Sequence, residues 1–397
     1  MMEGKTVRVL YAAAQSLYWA QSAVGFAFAA FFLQQNGFSA AAVGWTLAAV
    51  NLFGVLLPNI LGTLIDRGKL SCGAAAGMVL AAETLSLPPL LSAVRPAWLT
   101  AASYAAFLSL MLTAGALYTK IYVDLQRRVP SLRYGSSRAL GSVSFALCAW
   151  GMGLLLEGRP LWLLPACALL LTLMQGAVLL RMSALSASLP AAGQEDAAPG
   201  SPMGRFLRDN ARFALLLAGI AVIFAANNTI NNYLYLIVRE LGGTERTLGA
   251  LNAFIGLIEM PVMLLYARRA RPRPQRLLAL SLVFFPLKLL AVWAAGEIGT
   301  LFAAFALQAL SFALYVPAMV DYVDRTIPFS DSAKGQSLSA SMISLGTLAA
   351  TLCSGYWLDA LPVKAVLLRL TLLAAAGLPL CLAGIGLQKK DKDRKKL

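Results

Sequence analysis

Apolar runs of about twenty residues recur along the whole chain, the length at which a helix crosses the hydrocarbon core of a bilayer. In lipid a spanning segment must satisfy every backbone N–H and C=O internally, so runs of this length specify helices. The runs lie near residues 10–33, 42–65, 70–93, 97–121, 137–156 and 161–181, and after a polar stretch near 211–237, 246–267, 276–295, 299–322, 335–357 and 363–387. Of the 397 residues, 59% are hydrophobic and only 13% charged, a balance foreign to soluble domains. The fold class expected is an all-α membrane protein of about twelve transmembrane helices.

The net charge of +15 does not point to nucleic acid, because the basic residues sit in short clusters between apolar runs. One set of loops holds Lys5 and Arg8, Arg67 and Lys69, Arg127 to Arg138, Arg181 to Arg212, Arg268 to Arg276, Arg325 and Lys334, and the tail Lys389 to Lys396; the other holds only Arg95, Arg159, Arg239, Arg246 and Lys364. By the positive-inside rule the richer side is cytoplasmic, which puts both termini inside and makes the span count even. The expected location is a bacterial-type plasma (inner) membrane, and the basic tail is a solvated anchor within reach of anionic lipid. The first run is too long for a signal-peptide core and is read as a retained span. A monomer is expected.

The stretch Ser183 to Asp209, with its Pro, Gly and acidic residues, has linker composition. It divides the chain into a six-helix bundle over 1–182, a cytoplasmic linker over 183–209, a second bundle over 210–388 and a basic tail over 389–397. The halves repeat. Thr46-Leu-Ala-Ala-Val-Asn-Leu-Phe53 matches Thr247-Leu-Gly-Ala-Leu-Asn-Ala-Phe254 at an offset of 201, and Tyr122-Val-Asp124 is echoed by Tyr322-Val-Asp324 at an offset of 200. Each pair shares its orientation, so this is a parallel repeat: two pseudo-symmetric bundles about an axis along the membrane normal.

Five cysteines, none in a CxxC pair, and no histidine leave no metal site, disulfide framework or histidine-based catalysis to propose. There is no phosphate-binding glycine loop for ATP-driven pumping. No enzyme activity and no cofactor are expected.

What remains for chemistry is a few polar residues inside apolar runs, where ionisable side chains mark pathways by default. Glu259 lies midway in Leu251 to Tyr266, and Lys288 sits at similar depth in the next run; the two read as a candidate pair. A carboxylate deprived of its cation takes up a proton readily when desolvated, and the alternative reading is a static pair fixing two helices in register. Glu83 is a second mid-depth carboxylate, with Lys120 and Arg369 as candidate partners; it reads either as a protonatable, proton-coupling site or as a neutral carboxyl hydrogen-bonded in a helix contact. Asn227, Asn228, Asn231, Asn232 and Tyr235 share one arc of roughly 140° on the seventh run. They read either as a wall for a polar solute or as interhelical hydrogen bonding. Gln308, Ser311 and Tyr315 form a similar stripe, and Gln15, Trp19, Ser22 and Phe26 another. Gly62, Asp66, Arg67 and Lys69 close the second run, where ion pairs can switch, and Gly141 to Ser144 and Ser337 to Gly346 allow tight helix contacts.

The chain resembles the major facilitator superfamily over nearly its whole length. Gly62-x-x-x-Asp66-Arg67-x-Lys69 is similar to the superfamily's loop motif between spans two and three. Tyr134-Gly-Ser-Ser-Arg-Ala-Leu-Gly-Ser142 and Glu259-Met-Pro261 resemble the branch of lactose permease-like and nucleoside–proton symporters and the phenylpropionate permease. That branch carries a Tyr-Gly-Arg-x-Arg-x-x-Gly-Ser run, a Glu-x-Pro in span eight and a basic residue in span nine. The resemblance puts Glu259 and Lys288 at coupling positions and Arg138 at the cytoplasmic gate. Ser136 replaces the first arginine of the run, Lys120 stands where an acid is usual and Gln308 where histidine is usual. The implied function is alternating-access, proton-coupled symport of a nucleoside, sugar or aromatic acid. The alternatives are a proton-driven efflux antiporter, or a non-transporting sensor on the same scaffold.

Overall fold

The computed structural model describes residues 2–92, 94–128, 134–188, 202–268 and 273–386. Every regular element among them is helical. In order these are α1 (Met2–Gly25), α2 (Ala29–Gln35), α3 (Ala40–Asp66), α4 (Cys72–Ser86), α5 (Ala97–Arg128), α6 (Tyr134–Leu156), α7 (Leu163–Ser188) and α8 (Met203–Asp209). They continue as α9 (Ala211–Asn232), α10 (Leu234–Glu240), α11 (Glu245–Arg268), α12 (Pro274–Ala294), α13 (Ile298–Ala306), α14 (Phe312–Thr326), α15 (Phe329–Ala360) and α16 (Val363–Gly386). Among the described residues, eleven helical segments are long and apolar enough to cross a membrane. The remaining predicted span, 137–156, falls in α6, whose apolar part is the shorter Leu140–Leu156. Of the expected linker only the backbone of 183–188 and the segment from 202 are described, and the basic tail 389–397 lies outside the described residues.

Four predicted spans are interrupted. The first breaks between α1 and α2, the third at Leu87 between α4 and a 3-10 turn, Pro88–Leu91, the seventh at Tyr233 between α9 and α10, and the tenth at a short 3-10 turn, Leu307–Ala309, between α13 and α14. The breaks in the first and seventh spans are the same feature repeated: α2 and α10 each have 7 residues, begin 205 positions apart (234 minus 29), and are each followed, two residues past their ends, by a glycine, Gly37 and Gly242. Those glycines hold φ of 83° and 76°, a left-handed conformation that other residues adopt with strain. The helices that follow, α3 and α11, start at the same offset of 205 (245 minus 40). The offset of 201 between the Thr-Leu-x-Ala motifs therefore differs by four residues, about one helical turn. In both motifs the asparagine folds back on its own helix, Asn51 Nδ2 to Leu47 O at 2.8 Å and Asn252 Nδ2 to Leu248 O at 3.0 Å.

Contacts divide the chain into two compact units, Met1–Gln194 with Asn232–Leu257, and Glu195–Asn231 with Ile258–Leu397. In the first unit, α4 presents Ala75, Ala76 and Val79 to a core that includes Tyr11, Tyr118 and Tyr122, small residues against large ones. Gly153 of α6 and Gly249 of α11 meet backbone to backbone: a Cβ at Gly249 would stand 2.5 Å from Ala149 O. Tyr233 donates to Ala40 O at 3.0 Å. Arg95, in the loop before α5, donates from Nη2 to Asn36 Oδ1 at 2.6 Å and from Nε to Thr100 Oγ1 at 2.9 Å; burial pulls its pKa below the usual arginine value.

In the second unit the core is built on Phe213, Leu216, Ile220 and Phe224 of α9, with Phe285, Tyr315 and Tyr322 packed around them. The α9–α16 contact is a glycine seam. A Cβ at Gly219 would lie 2.7 Å from Cys381 N and 2.8 Å from Gly377 O, and one at Gly384 2.8 Å from Leu216 N. Small residues let helices approach where lipid supplies no hydrophobic drive to hold them together.

Candidate functional site

Lys288 is fully buried in α12, two residues after Pro286. A buried ammonium is tolerated only when its protons are accepted, and the sequence supplies the acceptors from two other elements. Lys288 Nζ donates to Asn227 Oδ1 of α9 and to Gln308 Oε1 at 2.7 Å. The rings of Phe285 and Phe305, with centroids 5.7 Å away in each case, present π faces to the charge. Gln308 lies in the 3-10 turn that interrupts the tenth span. Its Nε2 donates to Glu259 Oε1 at 2.8 Å. The predicted Glu259 and Lys288 are thus linked through the Gln308 amide. On the other side Asn227 Nδ2 donates to Asn228 Oδ1 at 3.0 Å, Asn228 Nδ2 to Thr347 Oγ1 at 3.0 Å, and Thr347 to Ile343 O at 2.7 Å.

The polarity of this chain follows from its head. Lysine only donates, so both amide oxygens must face it, and both amide nitrogens must face away. One arm then ends on a carboxylate and the other on a backbone carbonyl. Glu259 is half-buried in α11, two residues before Pro261. A proline removes a backbone donor and loosens the turn before it, and one sits two residues from each of the two charges.

The structure brings Glu259, Lys288, Gln308, Asn227 and Asn228 together. The other expected solute ligands lie elsewhere. Asn231 is exposed at the end of α9. Asn232 and Tyr235 belong to the first unit, where Gln35 donates to Tyr235 OH at 3.1 Å and the Phe31 ring lies 5.2 Å from that of Tyr235. The break at Tyr233 turns the expected arc of amides. Ser311 donates back to Leu307 O at 3.0 Å. Tyr315 packs on Phe224, centroids 4.7 Å apart, with its hydroxyl 3.4 Å from Ser339 Oγ. Gln15 donates to Tyr11 OH at 2.8 Å, and Trp19 lies over Gly141, where its ring fills the space a Cβ would take.

At the expected gate Asp66 pairs with Lys120 at 2.5 Å. The Asp66 side chain is 72% exposed, and such pairs contribute up to about 1 kcal/mol. The turn is made by Gly68, with φ of 68°, and nothing stands within 4 Å of a Cβ at Gly62. Arg67 is the C-cap of α3 and Lys69 follows it; Arg138 is in α6 with its side chain outside the described ones. Of the expected partners of Glu83, Lys120 is on Asp66 and Arg369 lies over the Trp357 ring at 5.2 Å.

Glu83 instead meets neutral groups that sequence reasoning missed. It is fully buried in α4, and its Oε1 accepts from Gln21 of α1 at 2.5 Å and Thr172 of α7 at 3.1 Å. Gln175 completes the cluster. The legible signal was Thr172 with Gln175, polar residues three apart on one helix face.

Residues 11–366 match the family model described as MFS_1 like family. The maltose permease of Geobacillus stearothermophilus is 27% identical over 366 residues, covering 82% of this chain and 89% of that one. Among solved structures, a point mutant of the nucleoside transporter NupG superposes with a TM-score of 0.75 at 14% identity, covering 96% of this chain and all of that one. An auto-inhibited POT family peptide transporter also gives 0.75, at 12% identity with 96% of each chain covered. At these identities the structural likeness bears on the fold alone. Taken with the membrane-length helices, the family match makes this an integral membrane secondary transporter and not an enzyme: the chain belongs to the MFS_1-like family of the major facilitator superfamily.

Proposed function

We propose that this transporter takes up a small hydroxyl-rich organic solute by alternating access, coupled to proton entry, across a bacterial-type inner membrane with both termini cytoplasmic. The observation that carries the reading is the amide-relayed line from Lys288 through Gln308 to Glu259. Lys288, Asn227 and Gln308 are the solute-binding groups: an ammonium and two amides offer donors and acceptors to hydroxyls or to a carboxylate. A solute that takes the Gln308 amide removes a donor from Glu259. The carboxylate then holds its charge in apolar surroundings with one hydrogen bond fewer, and a proton restores neutrality. Solute and proton binding favour each other on that scheme. The relative at 27% identity is named for maltose, a hydroxyl-rich sugar, which favours a sugar over an aromatic acid.

The solute class is tested by thermal-shift titration of the purified protein with maltose, uridine and 3-phenylpropionate, since a ligand of the native state raises Tm by mass action. The coupling role is tested by Glu259→Gln in proteoliposomes. Downhill exchange of the stabilising solute is expected to persist while accumulation driven by a proton gradient is lost. Accumulation at the wild-type level would overturn the role given to Glu259.

A further inference from the structure

The Glu83 cluster lies wholly in the first unit and shares no residue with the Lys288 network. Its head is of the opposite kind. An ionised carboxylate only accepts, so Gln21 must turn its Nε2 toward Glu83, and that nitrogen also donates to Thr172 Oγ1. Gln21 Oε1 then faces Gln175, which must donate from Nε2, at 2.5 Å. Gln175 Oε1 is left pointing away. Both ends of the relay are consequently acceptors without a protein donor: Glu83 Oε2 and Gln175 Oε1 are buried and unpartnered. Thr172 cannot cover the deficit, because its single proton is shared between Glu83 Oε1 and Ala168 O at 3.0 Å. The four residues are at most 1% exposed.

The titratable or charged groups on the elements packed here are few. Tyr118 of α5 lies within electrostatic reach of Glu83 and its hydroxyl is unpartnered. Tyr104 donates to Gly25 O at 2.7 Å, and Lys120 is on Asp66. The other described ones on these helices are Arg8, Tyr11 and Tyr18 of α1, Cys72 of α4, Tyr122 of α5, and Cys167 and Arg181 of α7. Among the described residues no ammonium or guanidinium is paired with the carboxylate, and a lone buried charge is costly.

We infer that Glu83, Gln21, Thr172 and Gln175 form a binding site for one small monovalent cation, a proton or Na⁺, in the first unit. One carboxylate matches one positive charge, and the other ligands on offer are neutral oxygens. Divalent ions call for more carboxylates, and no group of three or more acidic, Cys or His residues occurs among the described residues. The inference goes beyond the solute site and does not rest on it: Glu259 and Lys288 can be wrong with this site intact.

The test is the thermal stability of the full-length purified protein and of Glu83→Gln, followed over pH and over NaCl replacing choline chloride at constant ionic strength. If the ligand is a proton, the wild type loses Tm as pH rises, because the bare carboxylate is exposed to apolar surroundings, and Glu83→Gln does not. If it is Na⁺, NaCl raises the wild-type Tm saturably at fixed pH and leaves the variant unmoved. Equal responses of both proteins to pH and to NaCl overturn the site. Should Glu83→Gln fail to fold, Thr172→Val removes one hydrogen bond to the carboxylate and is expected to move the midpoint of the wild-type response by about tenfold in cation concentration; an unmoved midpoint overturns the site as well.

Discussion

Lys288→Met is expected to lower solute accumulation by about a hundredfold or more if the ammonium gives the bound solute two hydrogen bonds from a charged donor, about 1.5–3 kcal/mol each. Tm is expected to change little. The two effects separate because Lys288 enters the stability balance with opposite signs. Its removal leaves Asn227 Oδ1 and Gln308 Oε1 without their donor, at about 1–3 kcal/mol for each orphaned acceptor. It also relieves the burial of an ammonium, a penalty of several kcal/mol in real proteins. Methionine matches the apolar stem and fills the space between Phe285 and Phe305. A static strut predicts the reverse pattern, a large fall in Tm with transport per folded molecule unchanged. Lys288→Arg is not expected to rescue, since a planar guanidinium needs more room and a different acceptor geometry than a point-like ammonium. Uptake and differential scanning fluorimetry on the same preparations decide between the two roles.

The architecture was legible because its cause is local in sequence: run length and loop charge act through the bilayer, whatever touches what. The interior of the site was legible only in part. Glu259 and Lys288 stood out because a charge in an apolar run has no bland explanation, yet nothing in the sequence showed that Gln308 would stand between them. Gln308 was read as one residue of a helical stripe, whereas it occupies the 3-10 turn that ends that helix. The asparagine arc failed for the same reason. A helical wheel assumes one continuous helix, and the break at Tyr233 carries Asn232 and Tyr235 into the other unit. The break has a repeat partner between α1 and α2, and nothing at Tyr233 in the sequence, neither glycine nor proline, marks it. Gln21 was missed beside the Gln15–Trp19–Ser22 stripe because its partners, Glu83 and Thr172, are 62 and 151 residues away. Lys120 departs in charge from the usual acid of related sequences, and its position opposite Asp66 gives the departure a local partner.

Gly219→Leu is expected to cost at least about 1–3 kcal/mol, the range for overpacking a filled interior, and to cut the yield of folded protein. The obstacle is backbone and cannot swing aside. A Cβ there would stand 2.5 Å from Cys381 Sγ, 2.7 Å from Cys381 N and 2.8 Å from Gly377 O, so α16 must move away from α9 as a whole. Gly377 and Gly384, seven apart on the facing side of α16, meet α9 at Gly219 O, 3.0 Å, and Leu216 N, 2.8 Å, and a helix displaced at one contact loses the others. The seam also sits beneath Leu216 and Ile220, which are fully buried, so displacement opens the core around Phe224 and with it the position of Asn227, about one turn further on. Gly62→Ala is the matched control. Nothing lies within 4 Å of its Cβ position, and alanine in a helix interior is favoured over glycine by about 1 kcal/mol. Gly62→Ala is therefore expected to hold or raise Tm while Gly219→Leu lowers it. A Gly219→Leu protein with wild-type Tm would mean that α9 and α16 do not meet at this glycine, and the placement of Asn227 against Lys288 would fall with it.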